Sequence, residues 1–219
     1  MSEEGPNDAQ RLQILATEHW SLLASRSLAW NESFSRAGMF LSTLSGATVA
    51  LALIAQASGF GKTFSLFALA VLPVVFFVGI TTYIRLDGSN YHDAQCVLGM
   101  NRIRNAYLQI APDLKKYFVM SPHDDPRGIG VTMGVQPSRN NLLHLIAATP
   151  VVVAVLTSVV GGVIGSLIGY QLDWNNAWLT IAGVGTFIVV FGLLMFYAKR
   201  SIDRAQKSMR PLFPSPPQP

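Results

Sequence analysis

"LLHLIAATPVVVAVLTSVVGGVIGSLIGY", Leu142 to Tyr170, contains no Asp, Glu, Lys or Arg from end to end. About 20 apolar residues in a helix cross a hydrocarbon layer of roughly 30 Å. Three other runs meet the same requirement. They are "GMFLSTLSGATVALALIAQA" from Gly38 to Ala57, "FSLFALAVLPVVFFVGITTYI" from Phe64 to Ile84, and "AWLTIAGVGTFIVVFGLLMFYA" from Ala177 to Ala198. Four such runs among 219 residues leave too little chain to bury them in a soluble core. The expected fold is therefore all-α, an integral membrane protein with four transmembrane helices.

Composition agrees with that reading. Half of the residues are hydrophobic and 13% are charged, against roughly 25% charged in an ordinary soluble domain. The charges gather between the apolar runs and at the ends. The opening "MSEEGPNDAQ" is acidic and lacks a basic segment before an apolar core, so a cleaved signal peptide is not expected.

Lys and Arg give an orientation. The connection between the first two runs offers only Lys62, and "QLDWNN" between the last two offers none. The central segment carries Arg102, Arg104, Lys115, Lys116, Arg127 and Arg139, and the tail carries Lys199, Arg200, Arg204, Lys207 and Arg210. The positive-inside rule then predicts both termini and the central segment in the cytoplasm. The net charge of +4 reads as this bias rather than as affinity for nucleic acid. Lone Cys96 implies no disulfide framework.

Five regions follow: a cytoplasmic amphipathic helix over 1–36, a transmembrane hairpin over 37–85, a cytoplasmic helical segment and loop over 86–140, a second hairpin over 141–199, and a basic, proline-rich tail over 200–219. Before the first span, Asn7 or Asp8 suits a helix N-cap. Ala16, Trp20, Leu23, Ser27, Trp30 and Phe34 recur at four-three spacing, an a/d stripe. This stripe is expected to pack on the central helix, predicted over 90–111, whose apolar face runs through Val97, Met100, Ile103, Tyr107 and Ile110. An interfacial helix, suited by Trp20 and Trp30, and a self-association seam are the alternatives. Arg102, Asn105 and Gln109 fall largely off the central helix's apolar face. Pro112 ends that helix and opens a short new one with Asp113 in its first turn. The chain then reads as irregular up to the third span. In the tail, Pro211, Pro214 and Pro217 have the spacing of a polyproline ligand, but a disordered end is expected.

Small residues mark helix contacts. Gly38, Ser42, Gly46 and Ala50 repeat every four residues in the first span, and Thr157, Gly161, Gly165 and Gly169 do so in the third. In lipid such stripes let backbones approach closely. Two stripes allow one to serve the bundle and the other an oligomer. Ser42, Thr43, Ser45 and Thr48 make the first span the most polar and the candidate pore lining. Pro73, with Gly79 beyond it, predicts a kink in the second. No ionisable Asp, Glu, Lys or Arg lies within a span, and His144 sits at the end of the third. That argues against a transporter built on a buried carboxylate but leaves a channel open.

The loop "SPHDDPRGIG", Ser121 to Gly130, offers His123, Asp124, Asp125 and Arg127. Adjacent side chains on an extended strand point to opposite sides, so the two carboxylates are poorly placed to share one ion. Neither HExxH, CxxC nor a Walker loop occurs. A solvated, turn-forming loop with Arg127 as ion-pair partner is expected, and a regulatory ligand site is the alternative. Neither a cofactor nor catalysis is implied.

"MNRIRNAYLQIAPDLKKYF" (Met100 to Phe118), "HDDPRGIG" (His123 to Gly130) and "HWSLLASRSLAWNESFSRAGMFLS" (His19 to Ser42) resemble segments of bacterial, especially actinobacterial, four-span membrane proteins of unknown function. The resemblance covers nearly all of the chain except its ends. It implies a bacterial source, placement in the inner membrane and a four-helix fold, with no mechanism. Two functions are left. One is a homo-oligomeric channel or pore-forming effector, and the other is a non-conducting scaffold that docks a cytoplasmic protein.

Overall fold

The computed structural model describes residues 6–134 and 149–217. They are all-helical. Helix α1 spans Asp8–Ser58 and α2 spans Lys62–Ile110. A 3₁₀ turn, Pro112–Tyr117, precedes the short α3, Pro126–Thr132. Helices α4, Thr149–Gln171, and α5, Asn176–Ser208, complete the chain. Helices α1, α2, α4 and α5 are each long and apolar enough to cross a membrane. His144, Arg139 and Pro137, with the first residues of the third apolar run, lie outside the described residues.

Two pairs of elements read as neighbouring regions are joined directly, each pair as one helix. The 1–36 segment and the first apolar run join in α1, a helix of 51 residues. The second run and the central helix join in α2, which continues through "RLDGSN". Gly88 weakens a helix by about 1 kcal/mol but carries no stop geometry on its own. The real stop is Gly59, with φ of +67°, whose N–H bonds the Ala55 carbonyl at 2.9 Å. That is the left-handed cap that favours glycine. Pro73 sits inside α2 without ending it. At the start of α1, Asn7 Oδ1 accepts from Gln10 N–H at 2.9 Å and Gln10 Oε1 accepts from Asn7 N–H at 3.0 Å, a reciprocal capping box.

The chain divides into two compact units. The apolar unit comprises 32–88 and 149–201. Its core joins Phe40 and Ala47 of α1, Ala68, Leu72, Val75 and Tyr83 of α2, Ala154 and Val160 of α4, and Leu194 of α5. Tyr83 donates its hydroxyl to the Leu194 carbonyl at 2.9 Å. The α4 stripe packs as its spacing implies. Thr157 is fully buried. A Cβ on Gly161 would lie 3.0 Å from Phe76, one on Gly169 would lie 3.0 Å from Leu179, and one on Gly165 would clash with Thr186. Gly79 is a packing position as well, because a Cβ there would overlap Thr157 and come within 2.9 Å of Phe40. A contact absent from the sequence reading joins α4 to α5. A Cβ on Gly162 would lie 2.9 Å from the Gly183 carbonyl, and one on Gly183 would lie 3.2 Å from that of Gly162.

The α1 stripe behaves differently. Gly38, Ser42 and Gly46 are exposed, and nothing lies within 4 Å of a Cβ built on either glycine. Only Ala50 is partly covered. Among the described residues the stripe therefore makes no helix contact. Phe40, Leu44, Ala47 and Leu51 face the core instead.

The polar unit comprises 6–31, 89–134 and 202–217. Val97, Leu98, Met100 and Ile129 form its core, with Leu22 and Met209 packed on it. Here the expected α1 face is corrected by one residue. Leu15, His19, Leu22, Arg26 and Ala29 turn inward, at the same four-three spacing. Trp20, Leu23, Trp30 and Phe34 stay 69, 40, 49 and 58% exposed. The α2 half of the expected pairing is buried as read, with Val97, Met100 and Ile103 at 0, 2 and 6% exposure. Tyr107 packs on Phe118, ring centroids 6.4 Å apart.

Candidate functional site: a carboxylate clamp on the C-terminal segment

The polar unit concentrates the side-chain chemistry of the molecule. Asp93 on α2 is 4% exposed. Its Oδ1 accepts from Arg26 Nε at 2.5 Å and from Trp30 Nε1 at 3.1 Å, and its Oδ2 accepts from Arg26 Nη2 at 3.3 Å. This two-pronged ion pair explains the register of α1. An isolated buried charge costs several kcal/mol, so the helix turns Arg26 inward and leaves Trp20 and Leu23 outside. His19, two turns earlier on the same face, has a buried Nδ1 without a partner among the described residues. Burial, and then the charge of Arg104, lowers its pKa.

A second network is built on adjacent residues of α2. Asn101 is fully buried. Its Nδ2 donates to the His123 carbonyl at 2.7 Å. Its Oδ1 accepts from Arg104 Nη1 at 2.7 Å and from Thr132 Oγ1 at 2.8 Å. Thr132 Oγ1 in turn accepts from Ser121 N–H at 3.2 Å. Asn101 thereby holds both ends of the 121–132 segment. Asp125 caps α3 by accepting from Gly128 N–H at 2.9 Å, and Pro126 fills the first turn, the standard start of a helix. Gly128 is required here, since a Cβ would overlap the His123 carbonyl.

These constraints aim the two carboxylates at the C-terminal segment. Asp124 is fully buried. Its Oδ2 accepts from Arg102 Nε at 2.7 Å and Leu212 N–H at 2.9 Å, and its Oδ1 accepts from Phe213 N–H at 2.8 Å. Its own N–H donates to the Phe213 carbonyl at 3.2 Å. Asp125 Oδ1 accepts from Ser215 Oγ at 2.8 Å. Arg102 Nη2 donates to the Arg210 carbonyl at 3.1 Å, and Arg127 Nη1 donates to that of Pro216 at 3.2 Å. Burial would raise the Asp124 carboxyl, but the Leu212 N–H, Arg102 and the Phe213 N–H outweigh it and hold the group below the usual carboxylate range. Asp125 is likewise lowered. Burial opposes the shift, and the N–H of Gly128 with the hydroxyl and N–H of Ser215 overcome it.

Two expectations are corrected here. The loop is not solvated, because Asp124 is buried, and over 210–216 the tail is not loose, because its backbone is bonded at Arg210, Leu212, Phe213 and Pro216. Arg127 serves the tail's carbonyl rather than a carboxylate. Asn101, Arg102 and Ser215 were not marked as site residues by the sequence. The usable signal was proline: Pro211, Pro214 and Pro216 remove N–H groups, leaving few donors for neighbouring acceptors to claim. Among the described residues no three His, Cys, Asp or Glu side chains gather to hold a metal ion. The candidate pore-lining hydroxyls, Ser42, Thr43, Ser45 and Thr48, all lie on exposed positions. Thr43 and Thr48 bond the Met39 and Leu44 carbonyls of their own helix at 2.8 Å each.

Comparisons with protein-family models, with curated proteins and with solved structures find no match for this chain.

Proposed function

We propose that the chain is a multi-pass protein of the bacterial cytoplasmic membrane that assembles with its own copies into a channel or pore. The observation that carries this reading is the outward face of α1. It brings Gly38, Ser42, Ser45 and Gly46 to the surface of a helix otherwise apolar enough to cross a bilayer. Hydroxyls facing lipid gain nothing, whereas small residues and hydroxyls between helices allow close approach or line water. The four crossing helices come from length and hydropathy. The cytoplasmic placement of both termini and of the polar unit comes from Lys and Arg, and the bacterial source comes from the resemblance noted above. No catalytic residue, cofactor or nucleic acid enters this reading.

A scaffold that docks a cytoplasmic protein is the second reading. Trp20 and Leu28, 69 and 70% exposed on α1, favour it as an apolar surface on the polar unit. Cysteine cross-linking in membranes separates the two. Ser45→Cys is expected to give a ladder of linked copies, and Trp20→Cys is not. Linking at Trp20→Cys alone would remove the proposed α1 seam.

A further inference from the structure

The segment 210–216 is held as a bound peptide is held. Each of its prolines lacks a donor, so Leu212, Phe213 and Ser215 supply the N–H groups of the stretch from Pro211 to Pro216. The first two are taken by Asp124. Arg102 and Arg127 claim the carbonyls of Arg210 and Pro216 at its two ends. Recognition is thus mostly through the backbone of an extended chain, and Ser215 Oγ adds a side-chain contact. Prolines restrict the free chain and lower the entropy lost on binding. Leu212 remains 63% exposed, so the segment is not sealed by core packing of that residue. Met209, by contrast, packs on the polar unit's core. The boundary between anchored chain and ligand-like chain therefore falls at Met209.

We propose that Asp124, Asp125, Arg102 and Arg127 form a binding site for an extended proline-punctuated peptide, occupied by the chain's own segment 210–216 as a releasable latch. Tethering supplies the resident ligand at an effective concentration near the millimolar range. A competing partner would present the same chemistry: two consecutive N–H donors flanked by prolines, with a hydroxyl two residues further on.

The test uses a fluorescent peptide, RPLFPSPPQP, and the chain ending at Met209. Anisotropy is expected to show saturable binding, weaker by about two orders of magnitude with the intact chain, where the tethered tail competes. Asp124→Asn in the shortened chain is expected to lose about tenfold or more, since a charged acceptor is removed. Asp113→Asn is expected to change nothing. No binding by a shortened chain that keeps its helicity, or binding indifferent to Asp124→Asn, overturns the proposal. The intact chain gives a second test without truncation. Excess unlabelled peptide is expected to speed hydrogen exchange at the Leu212 and Phe213 amides. Exchange unaffected by the peptide would show a static end rather than a latch.

Discussion

Asp93 and Asp124 are the two carboxylates on which the polar unit depends most, and they do different work. Asp93 is the buried partner of Arg26. Removing one member of a buried pair leaves an uncompensated charge, so Asp93→Ala is expected to cost about 3–5 kcal/mol. Thermal unfolding in detergent checks it. Arg26→Met with Asp93→Leu together should cost less than Asp93→Ala alone, because no charge is stranded. Asp124 predicts a pH response. Its carboxyl is depressed in the folded chain, so its contribution is complete above the ordinary carboxylate pKa and is lost as pH falls through the depressed value. Arg102 is the ionised group that faces it, and Asp125 sits beside it with the same sign of shift. Protection factors at Leu212 and Phe213 should therefore hold from pH 7 to about 5 and fall only below about 4. Loss already between pH 7 and 5 would contradict control by this carboxylate.

Helix α1 shows at the element scale what hydropathy reading can and cannot find. Its four-three period was legible, and so was the apolar face of α2 through Val97, Met100 and Ile103. The phase was not, because the stripe with more aromatic carbon lost to one that carries His19 and Arg26. A pairwise electrostatic match with Asp93, 67 positions away, leaves no local trace. Leu22→Ala is accordingly expected to destabilise by about 2 kcal/mol, while Trp20→Ala stays within about 0.5 kcal/mol. Trp20→Ala and Tyr107→Ala should be additive, since Tyr107 packs on Phe118. The glycine stripes were equally visible in α1 and α4, yet spacing alone says only that a close contact is affordable, not with whom. Gly165→Leu is expected to disrupt the fold by about 3 kcal/mol or more through overlap with Thr186 and the Ala182 carbonyl. Gly46→Leu, with open space around it, should leave monomer stability unchanged and weaken assembly. Equal effects at the two positions, measured by melting and by mass in detergent, would mean that the outward face of α1 carries no contact.

At the scale of the whole molecule, four long apolar helices could be read directly from four uncharged runs. The clamp could not, because its parts lie in three separated stretches and its ligand looked like a disordered end. Orientation is tested by thiol labelling from outside intact cells. Cysteines at Gly59 and Asn175 should react and one at Asp125 should not. The central claim, that copies of this chain enclose a conducting path along α1, is tested most directly by current through a planar bilayer holding the purified Ser45→Cys oligomer. Cys96 is buried, so a hydrophilic thiol reagent should report on position 45. The account predicts stepwise currents that fall when the reagent is added. An assembled oligomer that passes no current, or whose current ignores the modification, would contradict it.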